Sequence, residues 1–139
     1  MTLLGLKPST RDIDFCIESK DKDMFKKAIK DEKFKVDLFQ DGFIFSEQLP
    51  VDYAEKSNKI TTDLLNIELR TLSLADIIIT KSARYNERDE EDIAAIAKAN
   101  KVDRKELEER FKQVKETFAG NESNYKYHFN LVLRRHFTS

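Results

Sequence analysis

An Asp-x-Asp pair in a strand-like stretch near the start of the chain constrains the fold more than any other feature. Residues 11–18 alternate apolar and polar side chains, and the polar set includes Asp12 and Asp14. Because strand side chains alternate between two faces, both carboxylates point the same way. Two like charges side by side are unfavourable unless a cation offsets them. The pair therefore predicts half of a Mg²⁺ site, on a strand whose other face is buried.

Asp37 is the candidate third carboxylate. It lies in a second strand-like segment, residues 35–39, between Val36 and Leu38. If the two strands are neighbours, we expect Asp12, Asp14 and Asp37 on one sheet face with carboxyl groups within roughly 4–8 Å of one another. The alternative is that each aspartate is a solvated residue on an outward face. Aspartate is disfavoured in strands, however, and this favours the site.

Composition restricts the classes of protein to consider. The chain has 139 residues, of which 37% are charged and 40% hydrophobic, with a formal net charge of −1. These values are typical of one globular domain and argue against a broad electrostatic footprint for nucleic acid. No apolar run approaches the ~18 residues of a membrane span, so we expect no membrane partner and a cytoplasmic location. The one cysteine, Cys16, provides neither a disulfide framework nor a zinc cluster.

The order of predicted elements indicates an α+β (or α/β) domain, with helices packed on a small mixed sheet. We expect residues 1–72 to form the sheet with the carboxylate site, and 73–139 to form a helical part of the same domain. The predicted elements are a strand at 11–18, a helix at 21–31, a strand at 35–39, a turn at 41–42, a strand at 67–72, and helices that begin after Ser73, near Asp89, after Asp103 and near Asn124. Residues 1–8 resemble the last turns of an apolar helix.

Residues 81–92, which follow the apolar segment 77–80, are rich in charged side chains. In a continuous helix Lys81, Arg84 and Arg88 would share one face, because they are three and four residues apart. Such a stripe could meet phosphate charge near the aspartates, and we expect the Lys81 amine to point toward them. The alternative is a solvated face with internal ion pairs, in which Arg88 meets Asp92.

With these residues placed, the chain resembles the nucleotidyltransferase superfamily with the DNA-polymerase-β-like fold. It is most similar to the small, uncharacterised branch near the AbiEii-type toxins. Three stretches carry the resemblance, over roughly residues 3–115: residues 5–15 around the Asp-x-Asp pair, residues 35–39 around Asp37, and residues 72–81 continuing through Arg84 to Ile93.

The resemblance implies roles for individual residues. Asp12 and Asp14 would bind Mg²⁺, and Asp37 would complete the site and help to deprotonate the acceptor. Lys81, with Arg84 and Thr10, would contact the nucleotide. The implied reaction transfers a nucleoside monophosphate (NMP) from a nucleoside triphosphate (NTP) to a hydroxyl of RNA, protein or a small molecule. An antitoxin is an implied partner if the chain is part of a toxin–antitoxin pair. Apart from the resemblance, apolar surface left by an absent N-terminal helix would favour a homodimer.

The chain departs from the family pattern at one point. Members carry a Gly-Gly or Gly-Ser pair upstream of the Asp-x-Asp strand, where backbone N–H groups approach the phosphates. That pair is absent here, which predicts that the family's N-terminal strand and helix are missing. Two alternatives to catalysis follow. One is a truncated or degenerate module of the same fold that binds a nucleotide or a partner protein, and the other is a purely structural dimerisation domain.

Overall fold

A computed structural model describes residues 1–7, 12–30, 35–99 and 101–138, and it describes Asp12 through its backbone alone. Over these residues the chain is an α+β structure with a mixed four-stranded sheet, a separate two-stranded ribbon and six α-helices, which confirms the predicted fold class. No helix within the described ranges is long and apolar enough to cross a membrane.

The main sheet begins with a β-α-β unit. Strand β1 (Asp12–Ile17) leads through helix α1 (Lys22–Ala28) to strand β2 (Lys35–Gln40), which lies parallel to β1. Helix α1 packs on the apolar face of this pair, where the rings of Phe15 and Phe25 meet edge to face with centroids 5.1 Å apart. A crossover helix on one face is the expected connection between adjacent parallel strands.

A tight hairpin continues the sheet. Strand β3 (Phe43–Ile44) pairs antiparallel with β2, and strand β4 (Glu47–Gln48) pairs with β3, so that the strand order is β1-β2-β3-β4. Asp41 and Gly42 form the two-residue turn with φ values of 51° and 84°. Two consecutive positive φ values define the hairpin turn for which Asp-Gly is favoured, as predicted. A Cβ at position 42 would lie 2.6 Å from Gln48 Nε2 and 2.8 Å from Tyr53 Cε1, so a larger residue would also displace these side chains.

The predicted strand at 67–72 is mostly loop. Only Arg70–Thr71 forms a strand, β6, and it pairs with β5 (Asn58–Lys59) in a ribbon apart from the main sheet; between β4 and β5 lies the short helix α2 (Tyr53–Lys56). The prediction that this segment joins the main sheet as a strand was therefore wrong. Alternation alone does not supply a neighbouring strand, and the sheet ends at β4.

Four helices make up the rest of the chain, as predicted. They are α3 (Leu74–Arg84), α4 (Glu87–Lys98), α5 (Arg104–Lys115) and α6 (Glu122–His136). Ser73 and Asp103 cap α3 and α5 through their side chains, each accepting a hydrogen bond from the backbone N–H three residues later. Residues 1–7 form a single 3₁₀ turn, Thr2–Leu4, instead of the predicted α-helical turns.

The hydrophobic core lies among these four helices. Its buried residues are Ala75, Ile78, Ile79, Ile93, Ile96, Leu107, Phe111, Val114, Tyr125, Phe129, Val132, Leu133 and Phe137. The rings of Phe111 and Phe129 stack at its centre with centroids 4.0 Å apart. Among the side chains described in β1 and β2, none is buried. The helical part therefore holds the main core, whereas the side chains described in β1 and β2 are half-buried or exposed.

Candidate active site

The strand register brings two of the three predicted carboxylates together. Asp14 of β1 and Asp37 of β2 are direct partners in the parallel ladder. Partners in a ladder project from the same face, so both carboxylates lie on one side of the sheet. We call this pair the acidic row. Asp12 precedes Asp14 by two residues in the same strand, and its side chain and Thr10 lie outside the described residues.

The acidic row lies on the face opposite α1. Asp37 forms an ion pair with Lys35 at 2.7 Å, a contact along the same strand face. Two residues after Asp37, and therefore on its face, Phe39 contacts Phe45 with ring centroids 4.8 Å apart. Phe45 in turn lies beneath Arg84, whose guanidinium carbon is 5.6 Å from the ring centroid. The aromatic contacts connect the acidic face of the sheet to the end of α3.

Lys81 lies in the charged group at this end of α3. Its amine contacts Asp92 Oδ2 at 2.8 Å and Asp89 Oδ1 at 3.4 Å, both on α4. We predicted that this amine points toward the sheet carboxylates, whereas its observed contacts are with α4. Lys7 approaches from the N-terminal segment and donates to Asp92 Oδ1 at 2.9 Å. Lys81 is thus held in a defined direction, but by Asp89 and Asp92, which were not the partners predicted from the sequence.

Arg84 has the same kind of environment. Its Nε and Nη2 atoms donate to the two oxygens of Asp89, each at 2.8 Å, in a bidentate pair. Helix α3 ends here, because Tyr85 adopts φ 49° and Asn86 caps α4. The predicted continuous stripe is therefore broken, and Arg88 belongs to the next helix. Internal ion pairing, the alternative considered above, does occur, but the cations that reach Asp92 are Lys7 and Lys81.

The two aspartates of α4 are charged. Burial by itself raises the pKa of Asp92, but hydrogen bonds from Lys81 and Lys7 outweigh it and hold the pKa below its usual value. The pKa of Asp89 is lowered in the same way, with burial outweighed by Arg84 and by the backbone N–H of Asn86. Asp89 and Asn86 also form a reciprocal capping box, which the Asn-x-x-Asp spacing could have revealed.

Arg110 forms a second buried ion pair, which joins α5 to α3 and extends to Asp52 of the sheet part. Arg110 of α5 donates to Asp76 Oδ1 at 2.6 Å and to Asp76 Oδ2 at 2.8 Å, and it reaches Asp52 at 3.1 Å. Burial disfavours the charged guanidinium, but Asp76 and then Asp52 outweigh it and raise the pKa of Arg110. No sequence signal pairs Asp76 with a residue 34 positions away.

Glu47 is a further buried polar residue that no sequence pattern singled out. It is 1% exposed, and its Oε2 lies 2.7 Å from the Tyr125 hydroxyl, which is also 3.1 Å from the Ile79 carbonyl oxygen. A tyrosine hydroxyl has one proton to donate, so both contacts are hydrogen bonds only if Glu47 carries a proton. Burial, opposed by the Tyr125 hydrogen bond, raises the pKa of Glu47 to about 7.

The acidic row suits a divalent cation by its donor chemistry. Carboxylate oxygens are the ligands that Mg²⁺ prefers, and Asp14 and Asp37 offer them from adjacent strands. Within the described residues no group of three His, Cys, Asp or Glu side chains gathers as a metal site. A third ligand would have to come from Asp12, which follows the same alternation.

Comparison with known proteins identifies the family. No curated protein and no solved structure matches the chain. A family model described as "Nucleotidyltransferase of unknown function" (DUF6036) matches residues 3–138, a span that includes the acidic row, Lys81 and Arg84. The chain therefore belongs to this nucleotidyltransferase family.

Proposed function

We propose that the chain is a Mg²⁺-dependent enzyme that transfers an NMP group from an NTP to a hydroxyl acceptor. The observation that carries this proposal is the pairing of Asp14 with Asp37 across adjacent parallel strands. Like charges at this spacing repel, and a bound divalent cation would offset the repulsion between the two carboxylates. Family membership supplies the reaction class, and the acidic row supplies residues suited to it.

Each carboxylate has a role in this proposal. Asp12 and Asp14 would hold Mg²⁺, and Asp37 would be the third ligand. Asp37 also accepts the proton of the acceptor hydroxyl, whose oxygen attacks the α-phosphorus. The bond from that phosphorus to the bridging oxygen breaks, and pyrophosphate leaves. Bound Mg²⁺ would neutralise charge on the phosphates as they react. The contact between Lys35 and Asp37 holds the Asp37 carboxylate on the acidic face.

Lys81 and Arg84 are the proposed phosphate contacts. The contacts from Phe39 through Phe45 to Arg84 support this, because they bring the end of α3 toward the acidic face of the sheet. Thr10 remains a prediction from the resemblance alone. The AbiEii-type branch, a toxin–antitoxin role and the choice among RNA, protein and small-molecule acceptors rest on the same resemblance. The homodimer and the cytoplasmic location also remain predictions from the sequence.

The test is an Asp14→Asn variant assayed with NTP labelled at the α-phosphate, Mg²⁺, and RNA and protein acceptors. We expect the wild-type chain to transfer label and the variant to be slower by at least roughly 100-fold. Loss of a residue that only orients a metal ligand costs up to about 100-fold, and loss of a ligand itself should cost at least as much. Asp63→Asn, an exposed aspartate in the loop between β5 and β6, is the matched control and should transfer normally. Equal transfer by Asp14→Asn and wild type would contradict the mechanism. Nucleotide binding without transfer by wild type would favour the non-catalytic alternative.

A further inference from the structure

Three cations surround two buried carboxylates where the N-terminal segment meets α3 and α4. Lys7 and Lys81 share Asp92, at 2.9 and 2.8 Å, and Arg84 forms the bidentate pair with Asp89. We call these five residues the basic cluster. Cations outnumber carboxylates within it, although the whole chain has a net charge of −1. The cluster therefore has a positive charge left over.

The cluster is layered, with its positive charge toward solvent. The Asp89 and Asp92 side chains are 0% and 10% exposed, whereas the Lys81, Lys7 and Arg84 side chains are 21%, 37% and 57% exposed. An anion that approaches from solvent meets N–H donors before it meets either carboxylate. Such an arrangement favours phosphate over a cation.

Asp92 has a different position in the cluster from Asp89. Asp89 is tied to the backbone N–H of Asn86 as well as to Arg84, so it is part of the helix cap. The contacts of Asp92 are with two flexible lysines, one from α3 and one from the segment that leads into β1. A lysine ammonium is a point charge on a flexible stem, and it can exchange one anion for another by a small movement.

We propose that Lys7, together with Lys81 and Arg84, binds the diphosphate portion of the nucleotide that leaves as pyrophosphate, and that Asp92 competes with this anion for both lysines. This assignment rests on the proposed function for its place in the reaction. Lys7 is five residues before Asp12, and Arg84 is connected to the acidic face through Phe45. The contacts of Phe45 with Arg84 and with Phe39 thus connect the cluster to the acidic face of the sheet. Without ligand, Asp92 holds the lysines against α4.

Inorganic pyrophosphate without Mg²⁺ is the probe, titrated calorimetrically into the full chain. Removal of the Lys7 charge by Lys7→Ala should weaken pyrophosphate binding roughly 10-fold, as expected for one charge-assisted hydrogen bond, and Lys7→Arg should restore most of it. Asp92→Asn should tighten binding, because the competing charge is gone. Lys105→Ala is the control: this lysine is exposed on α5, pairs only loosely with Glu109 at 4.0 Å, and its loss should change nothing.

The expected increase in pyrophosphate affinity for Asp92→Asn distinguishes this proposal from a purely structural role of Asp92. In a structural role, loss of the carboxylate would weaken pyrophosphate binding. Equal pyrophosphate affinity for Lys7→Ala and wild type, weaker binding by a folded Asp92→Asn, or no binding by wild type would each overturn the proposal. If Asp92→Asn fails to fold, the Lys7→Ala and Lys7→Arg pair decides alone. Pyrophosphate binding with this pattern but no NMP transfer overturns the proposed function only. NMP transfer with Lys7-independent pyrophosphate binding overturns the basic-cluster assignment only.

Discussion

The sheet part and the helical part of this chain differ in what their residues are used for. In the helical part, apolar side chains from α3, α4, α5 and α6 form one buried core. In the sheet part, the side chains described in β1 and β2 are half-buried or exposed, and one face carries the acidic row. Parallel strands are normally covered on both faces. The difference indicates that stability resides in the helices and that the sheet is a platform for polar groups.

The junction between the two parts is polar. Glu47 meets Tyr125, Asp52 meets Arg110, and the Ala119 N–H donates to the Ser46 carbonyl at 2.8 Å. Polar contacts at a junction fix how the two parts are oriented, because a hydrogen bond forms only over a narrow range of distances and angles. Variants of the junction and of the two parts can therefore test whether stability and chemistry are divided as proposed.

The largest effect should come from the junction. Arg110→Ala leaves the Asp76 carboxylate, which is 0% exposed, without its bidentate partner, and should lower the free energy of unfolding by about 3–5 kcal/mol. Urea denaturation measures this loss. Arg104→Ala on the same helix removes an exposed pair with Glu108 and should cost no more than about 0.5 kcal/mol. Equal losses for the two variants would show that the buried pair of Arg110 and Asp76 contributes no more to stability than an exposed pair.

A pair of isoleucines compares the two parts directly. Ile78→Ala opens a cavity in a core position that is 0% exposed and should cost about 2–5 kcal/mol. Ile13→Ala removes the same atoms from a half-buried position in β1 and should cost about 1 kcal/mol. The measurement is again the urea midpoint with an unchanged slope. A loss at Ile13 as large as at Ile78 would mean that the sheet part is packed as tightly as the helical part.

The pH dependence of stability should report on Glu47. Its pKa rises from 4.5 to about 7 on folding, so the folded state binds the proton more tightly. Stability is full below pH 4.5, falls as the pH rises through the interval to about 7, and is then lower by about 3 kcal/mol. The groups that face Glu47 are Tyr125, which donates or accepts at 2.7 Å, and the Asp76 charge, which raises the pKa further.

Glu47→Gln is the matched variant for this titration. The amide cannot ionise, so the fall in the free energy of unfolding between pH 4.5 and 7 should disappear, and the variant should exceed wild type in stability at pH 8. Denaturant unfolding at a series of pH values provides the measurement. An identical pH profile for variant and wild type would show that Glu47 is ionised in the folded state.

Much of the helical part followed from local signals. Ser73 and Asp103 were predicted as caps and accept the expected backbone hydrogen bonds, because a cap depends on residues three positions away. The Asp41-Gly42 turn was predictable for the same reason. The start of α4 was placed two residues late, since the Asn86 cap was not recognised. Most of the strand predicted at 67–72 does not form, because alternation does not identify the neighbouring strand with which a segment would pair.

The alternation of β1 and β2 determined, from sequence alone, that Asp14 and Asp37 face away from the apolar side of the sheet. The three-residue spacing of caps determined where α3 and α5 begin. Tertiary structure decided the partners of the charged residues: Lys81 with Asp92, Arg110 with Asp76, and Glu47 with Tyr125. The physical reason is range. Caps and strand faces depend on backbone geometry over a few residues, whereas an ion pair forms wherever folding brings two charges together and removes water from around them.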